Sequence, residues 1–492
     1  MKIRSSILLT VILSFSCPSC MDLDVTPIST ITNASFWKTE DDVNGALNGM
    51  YVQLRNITES IHLLGEARSE VFGPGVVGHG GFDIYYNNTL LPANAGPGWQ
   101  SFYTVINSAN LILKYTPDIA FKSESNKNKL LAQAYTMRAF IYFVMARTWG
   151  DLIIRTEPVE SSNAEVTHKE RSSQADVFAL IKNDLEEALK LFPDTNYPSG
   201  RCYWSKPAAN TLKADVYLWT GKRMNGGDVD FNQALQALNE VVNSDASLLS
   251  DFADIFPYDN KGNKEIIMCS RYQELEAGNN FYWRMWLIGS SVPENIDEET
   301  SNILHPIGSG QGLMVPSTIY RNQFSPDDSR KKGSIHEIFV DNDGQKEYYT
   351  CIVLKGSGLV KSGDRYFLND VIFYRYADVL LMLAEVKNAL DRDPSPEINL
   401  VRERAYREKY EEYVYVNDTK EKNDEAILKE RLLELSLEGG KRWWDLLRFD
   451  KVFDLVPSLQ DKKGQDYYRL FPIGNSILSL EPKIEQNPGW NK

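Results

Sequence analysis

The sequence is poor in the residues that carry catalysis and metal binding. Only 5 of its 492 residues are histidine, and they are scattered without the spacing of a metal-ligand set. No Gly-x-Ser-x-Gly, His-Glu-x-x-His or phosphate-loop pattern occurs, so the common hydrolase and nucleotide signatures are missing. Basic residues are outnumbered. Against 67 Asp and Glu stand 53 Lys and Arg, for a formal net charge of −14. That balance argues against nucleic acid, whose binding rests on clustered Lys and Arg neutralising phosphates. Cysteines are few and unevenly placed. Cys17 and Cys20 lie together near the start, while Cys202, Cys269 and Cys351 are far apart and odd in number. They form no disulfide framework and are expected as buried free thiols. No Pro/Gly/Ser-rich linker divides the chain, although it exceeds the roughly 250–300 residues at which one core stops growing. The expectation is one body with long insertions, or two lobes in contact. Beyond the first residues there is no apolar run of the about 20 residues needed to span a bilayer.

What is present begins with the N-terminus. Lys2 and Arg4 precede an uncharged, almost wholly apolar stretch, Ser5 to Phe15, too short for a stable span. Ser19 then precedes Cys20, as in a bacterial lipoprotein signal in which the cysteine is acylated and becomes the new N-terminus. Residues 1–19 are read as that signal and Cys20 as the lipid anchor. Cleavage before Cys17 is the alternative. A thioredoxin-like Cys-x-x-Cys motif would need a folded strand–helix context, which the edge of a signal does not offer. Acyl chains hold a protein at a membrane by about 0.8 kcal/mol per buried CH2.

The body, 20–492, is predicted to be mainly α-helical. Thr32 to Tyr51 reads as a helix with Glu40, Asp41 and Asp42 at its positive end. Residues 65–97 are Gly-, Asn- and Tyr-rich loop, and loops of that length are usually functional. Trp99 to Tyr115 reads as a helix. Leu131 to Thr148 is apolar almost all round, as in a helix buried between others. Asp176 to Phe192 carries helical periodicity, with Ser173 and Asp176 as a capping box and Pro193 as a stop. Ser205 caps the next helix, Pro207 suits its first turn and Gly221 is expected to end it. Phe231 to Val242 makes another. This succession suggests a superhelical array of helix pairs like the tetratricopeptide fold. From about 251 to 365 the chain turns irregular. "EIIMCSRY" reads as a strand and "HEIFVDNDGQKEYYTCIVLK" as a hairpin turning at Asn342, Asp343 and Gly344. That turn lacks the spacing and later glutamate of an EF-hand, so calcium has only weak support and no cofactor is expected. Helices return over about 369–450. There Glu430, Glu434 and Glu438 repeat at four-residue spacing among Lys429, Arg431, Lys441 and Arg442, the pattern of an ion network.

Ten segments in order resemble the SusD/RagB family of surface nutrient-binding lipoproteins. They are "CMDLDVTP", "FWKTEDDVNGALNGMY", "GEARSE", "FYTVINSANLIL", "AQAYTMRAFIYFVMARTWGD", "KADVYLWTG", "YRYADVLLMLAE", "INLVRERA", "LKERLLELSLEGGKRWWDLLR" and "PKIEQNPGW". The resemblance spans nearly the whole chain. "EGGKRWWDL" departs from it by an extra residue in a turn that is compact in the family. It implies four tetratricopeptide-like helix pairs as a scaffold, at about 32–250 and 369–450. An irregular ligand-side half would occupy about 65–100 and 251–365. It also implies an oligosaccharide ligand bound without cleavage. The partner would be a SusC-like TonB-dependent outer-membrane transporter, with the protein lipid-anchored at the cell surface. Asp22 and Asp24 resemble the family's signal for export to the outer face.

A sugar site needs aromatic faces for C–H patches and oriented polar groups for hydroxyls. Two segments mix the two. In the first, the resemblance places a ligand-stacking Trp at Trp99 and a hydrogen-bonding Arg at Arg68, with Gln100 and Tyr85 nearby. A purely packing Trp99, and an Arg68 paired with Glu66 or Glu70, is the structural alternative. The second is "NNFYWRMW". If it is a strand, Tyr282, Arg284 and Trp286 share one face and Phe281, Trp283 and Met285 the other. Tyr282, Trp283, Arg284 and Trp286 are the candidates here. No catalytic or metal site is expected. The rivals are the same lid role for a non-sugar nutrient such as a peptide, a surface glycoside hydrolase, and a pure docking scaffold.

Overall fold

The computed structural model of the chain describes residues 33–308 and 310–491. The signal segment, Cys17, Cys20, Asp22 and Asp24 lie outside the described residues. Local signals start the helices. The Thr39 hydroxyl accepts from the Asp42 N–H at 3.3 Å, and the Asp42 carboxylate accepts from the Thr39 N–H at 2.8 Å. This reciprocal cap splits the expected single helix into Asn33–Phe36 and Glu40–Asn56. Ser173 and Ser205 accept from the N–H groups of Asp176 and Ala208 and so open the Gln174–Leu191 and Lys206–Arg223 helices.

The helices form a continuous array. Glu40–Asn56 packs on Gln100–Tyr115, and that helix on Glu124–Trp149. Gln174–Leu191, Lys206–Arg223 and Gly227–Val242 follow in turn, each against its predecessor. Tyr376–Ala389 then docks on Gly227–Val242, and Ser395–Tyr406 and Lys420–Leu435 dock on Tyr376–Ala389. The Glu124–Trp149 helix is buried nearly all round from Leu130 onward because it has neighbours on both sides. Its internal cations need partners, and the neighbours supply them. Arg138 forms a two-pronged pair with Asp184 at 2.8 and 2.7 Å and donates to Asn110 at 2.7 Å. Arg147 lies 3.6 Å from the Phe143 ring centroid and 3.9 Å from that of Trp444. Gly221 does not end its helix, which runs on to Arg223. A Cβ there would meet the Phe231 ring at 2.4 Å, so the glycine serves close helix approach.

The carboxylates at four-residue spacing do make an ion network, but with cations from distant segments. Arg431 and Lys441 pair with Asp378 and Arg442 with Glu70 instead, and Lys429 donates to the Gln323 carbonyl. Arg330, Arg375, Arg402, Arg404 and Lys355 face Asp328, Glu265, Glu430, Glu434 and Glu438, five cations against five anions. All except Arg402 are buried. Removing one member of such a set strands the others' charge, a loss of about 3–5 kcal/mol for buried pairs.

The irregular half carries four two-stranded antiparallel pieces among the described residues. Ile266–Ser270 pairs with Val371–Arg375, and Ile335–Asn342 with Gln345–Val353. The second pair is the expected hairpin. It turns through Asp343 and Gly344, both left-handed at φ +54° and +84°, as a two-residue turn matched to strand twist requires. The Asp341 carboxylate closes it by accepting from the Gly344 N–H at 2.7 Å. Cys202, Cys269 and Cys351 are free and buried. Burial pushes the Cys202 thiol up to about 11, which keeps it inert.

Candidate ligand-binding site

Two loops predicted to carry ligand are brought together. The chain leaves the Thr58–Gly65 helix, pairs Phe72–Gly73 with Val315–Pro316, and runs through a Gly-rich loop to Asp83. Gly75 lies so close to Gly312 that a Cβ would meet its carbonyl oxygen at 2.0 Å, so only glycine lets the two loops touch. The Gly312 segment also clasps the aromatic stretch. The N–H groups of Gln311, Gly312 and Leu313 donate to the carbonyls of Trp283, Trp286 and Arg284 at 2.9, 2.6 and 2.8 Å.

"NNFYWRMW" is not a strand. Asn280 accepts from the Tyr282 N–H at 3.0 Å and winds Phe281–Met285 into a tight 3₁₀ turn. With about three residues per turn, the two-faced alternation fails. Phe281, Tyr282, Met285 and Trp286 point inward, while Trp283 and Arg284 stay half-exposed. The guanidinium of Arg284 is 5.0 Å from the Trp283 ring centroid and 5.3 Å from that of Phe82. It donates to Gln311 Oε1 at 2.9 Å and pairs with both oxygens of Glu59. His79 and Asp83 form a further pair at 2.7 Å on the same loop as Phe82. The result is a half-exposed face of two aromatic rings around a fixed cation, edged by an amide and carboxylates. Phe82, Glu59 and Gln311 were not singled out in the sequence. Gln311 sits in a Gly-rich stretch that marked only a loop.

Several expected site residues are structural instead. Arg68 is fully buried. It donates to Asn88 Oδ1 at 2.7 Å and to the carbonyls of Tyr468 and Leu470 at 2.7 and 3.3 Å, over the Trp443 and Phe471 rings. Burial pulls it down to about 9. It therefore ties the C-terminal tail to the loop and has no surface for a ligand. Neither Glu66 nor Glu70 is its partner. Glu66 accepts from the N–H groups of Leu437, Lys441 and Arg442, all at 2.9 Å, and Glu70 pairs with Arg442. Tyr282 is buried, donates to the Leu437 carbonyl at 2.8 Å and packs on Gly356, where a Cβ would meet its ring at 1.9 Å. Trp286 is buried under Arg365 and donates to the Val353 carbonyl at 2.7 Å. Tyr85 is buried against Gly96, and burial holds its hydroxyl well above the ordinary range.

Trp99 and Gln100 go elsewhere. Trp99 is 3% exposed and meets Trp149 and Tyr103 edge-on, with ring centroids 5.9 and 6.1 Å away. With the exposed Gln100 it lines a cavity of about 550 Å³ between the Gln100–Tyr115 helix, the 153–167 strap and the Asn475–Leu480 helix. None of the Phe82, Trp283 or Arg284 side chains lines that cavity.

A helical-repeat scaffold displaying an aromatic and polar face is the build of a binding protein. Among the described residues, no cluster of three His, Cys, Asp or Glu side chains could hold a metal ion. The family profile described as "SusD family" matches residues 340–490, and one described as "Starch-binding associating with outer membrane" matches residues 83–218. B. fragilis NanU is 32% identical over 95% of this chain and 100% of its own, with a TM-score of 0.83. A SusD superfamily protein from Bacteroides vulgatus is 31% identical over 92% and 100%, with a TM-score of 0.82. A SusD-like protein of Formosa agariphila is 28% identical over 96% of this chain and 95% of its own length. The chain belongs to the SusD/RagB family, whose helical scaffold it shares.

Proposed function

We propose that the protein is a cell-surface glycan-binding lipoprotein. On this reading it is anchored through Cys20 in the outer membrane and delivers oligosaccharide to a SusC-like TonB-dependent transporter. The observation that carries the reading is the Phe82–Arg284–Trp283 face. Sugar rings present C–H patches that pack on aromatic faces, and their hydroxyls need donors and acceptors held in place. Arg284, Gln311, Glu59 and the His79–Asp83 pair supply both. Glu59 and Gln311 fix the guanidinium before ligand arrives, so little side-chain freedom is lost on binding. The family description as starch-binding and associated with the outer membrane supports the same reading. A binding role asks only that bonds be held, and no pair of carboxylates needs to flank the sugar.

The test is capture on a panel of plant, host and microbial polysaccharides, followed by chain-length analysis of whatever binds. Retention of at least one glycan at its original length supports the proposal. Failure to retain any, or release of shortened chains, overturns it. Labelled palmitate should join the protein through Cys20 in a membrane fraction, and unlabelled protein in the cytosol would refute the anchor.

A further inference from the structure

We infer that the cavity beside the C-terminal half of the Glu40–Asn56 helix is an anion site, and that it takes a small hydroxylated monocarboxylate. The inference goes beyond the Phe82–Arg284–Trp283 face, with which this cavity shares no lining residue. Nor does it share one with the cavity lined by Trp99. Its volume of about 380 Å³ lies inside the roughly 300–1,000 Å³ of small-molecule sites.

Two guanidiniums decide the charge of the occupant. Arg55 and Arg271 both line the cavity, in a chain whose formal net charge is −14. Each is held in place. Arg55 donates to the carbonyls of Arg271 at 3.2 Å and of Glu276 at 3.0 Å. Arg271 grips both carboxylate oxygens of Glu276, through Nε at 3.1 Å and through Nη2. A guanidinium carries five N–H donors, so these bonds leave further donors on both. Glu276 cancels one of the two charges. Burial keeps the Cys202 thiol neutral on the same wall. Nearby carboxylates are already taken, Asp370 by Lys261 at 3.1 Å and Glu59 by Arg284. One positive charge remains, and one anionic group on the occupant balances it.

Glu276 also shows which anion fits. It is a carboxylate set against both cations, with Oε2 4.0 Å from Arg55 Nη1. A ligand carboxylate can meet the remaining guanidinium donors in the same planar, two-pronged way. The rest of the lining fixes the body that carries it. The Tyr203 hydroxyl donates to Asn48 Oδ1 at 3.1 Å, which leaves the Asn48 NH2 to give. The Ser270 hydroxyl, also at the wall, gives and accepts. The Tyr203 ring stands edge-on to Tyr51, with centroids 4.6 Å apart, and adds an apolar side. Hydroxyls on the occupant answer Asn48 and Ser270. A neutral polyol leaves the excess charge unmet, an ammonium is repelled, and a divalent anion overshoots it.

The experiment titrates the purified protein with gluconate and with glucuronate and reads ligand-observed saturation transfer. Sorbitol and glucose are the neutral counterparts, in which CH2OH replaces the carboxylate. At least one acid should bind about tenfold or more tightly than its counterpart, and added salt should weaken it. Arg271→Gln should lower that affinity by about tenfold or more, and Arg271→Lys, which keeps the charge but not the fork, should recover part of it. The Arg271 side chain is 41% exposed, so the fold tolerates the change, and near-native circular dichroism of each variant secures the comparison. Trp283→Ala should leave acid binding unchanged. The inference is overturned if neither acid binds, if its neutral counterpart or sulfate binds as tightly, or if Arg271→Gln changes nothing. Loss of acid binding in Trp283→Ala would also overturn it, by moving the ligand to Arg284. Glycan capture on the first face does not depend on Arg271, so the two failures are told apart.

Discussion

Replacing His62 by phenylalanine should change how stability depends on pH, with a sign the structure dictates. The His62 ring is fully buried and stacks on Phe281 with centroids 4.2 Å apart. Its Nδ1 lies 2.8 Å from the Glu438 carbonyl, which can only accept, so Nδ1 carries the proton. Nε2 is buried with no partner. A second proton there would have nothing to bond. Burial accordingly pulls the imidazole from its ordinary 6.5 down to about 4. Between those values the unfolded chain binds a proton that the folded one refuses, so stability falls as pH falls through this window. At 1.36 kcal/mol per unit, the loss from pH 7.5 to pH 4.5 is about 2–3 kcal/mol. Phenylalanine removes this term. At pH 7.5 His62→Phe should cost about 1–3 kcal/mol, because the Glu438 carbonyl loses its donor. At pH 4.5 the gap to wild type should close or reverse. Urea unfolding at the two pH values measures it, and titrations common to both proteins cancel in the difference. An equal gap at both values would refute the reasoning.

Glu434→Gln should lower unfolding free energy by about 3–5 kcal/mol at neutral pH, since Arg330, Arg375 and Arg404 all converge on that carboxylate; a loss under about 1 kcal/mol in chemical denaturation would contradict the network. Burial works to raise the Glu434 carboxyl, but Arg404, Arg375 and Arg330 outweigh it and hold it well below the usual range. Its contribution is therefore present above the unfolded value and fades only as pH falls towards the strongly acid folded one. Arg68→Lys should loosen the C-terminal tail, because a single ammonium cannot serve the Asn88, Tyr468 and Leu470 oxygens in the fork geometry of arginine. Limited proteolysis after residue 465 should quicken, and an unchanged cleavage pattern would count against the clasp.

Patterns spanning one turn or one helix were legible in the sequence. The 131–148 segment, apolar almost all round, announced a helix buried between others, the Asp343–Gly344 pair announced its hairpin, and the carboxylates at 430, 434 and 438 announced an ion network, though not the cations that complete it. What depended on distant partners was not. Arg68 and Glu66 are only two positions apart on the chain, but each reaches backbone about 370–400 residues away. The turn at Phe281–Met285 hangs on the Asn280 side chain, which also donates to the Asn369 carbonyl at 2.6 Å. A mixed aromatic run therefore gave the right neighbourhood but the wrong inward and outward residues. Of its four named candidates, Trp283 and Arg284 reach the surface, and Tyr282 and Trp286 are consumed by the core. Gly221 shows the same limit, since its meaning is the Phe231 ring opposite it.

The central claim is that a glycan is held on the Phe82–Arg284–Trp283 face. Its most direct measurement is the dissociation constant of a captured oligosaccharide, taken by calorimetry for wild type and Trp283→Ala. Loss of one stacking ring should weaken binding by about tenfold or more, roughly 1.4 kcal/mol, with the unfolding midpoint nearly unchanged because the ring is already half-exposed. An affinity equal to wild type would contradict the account.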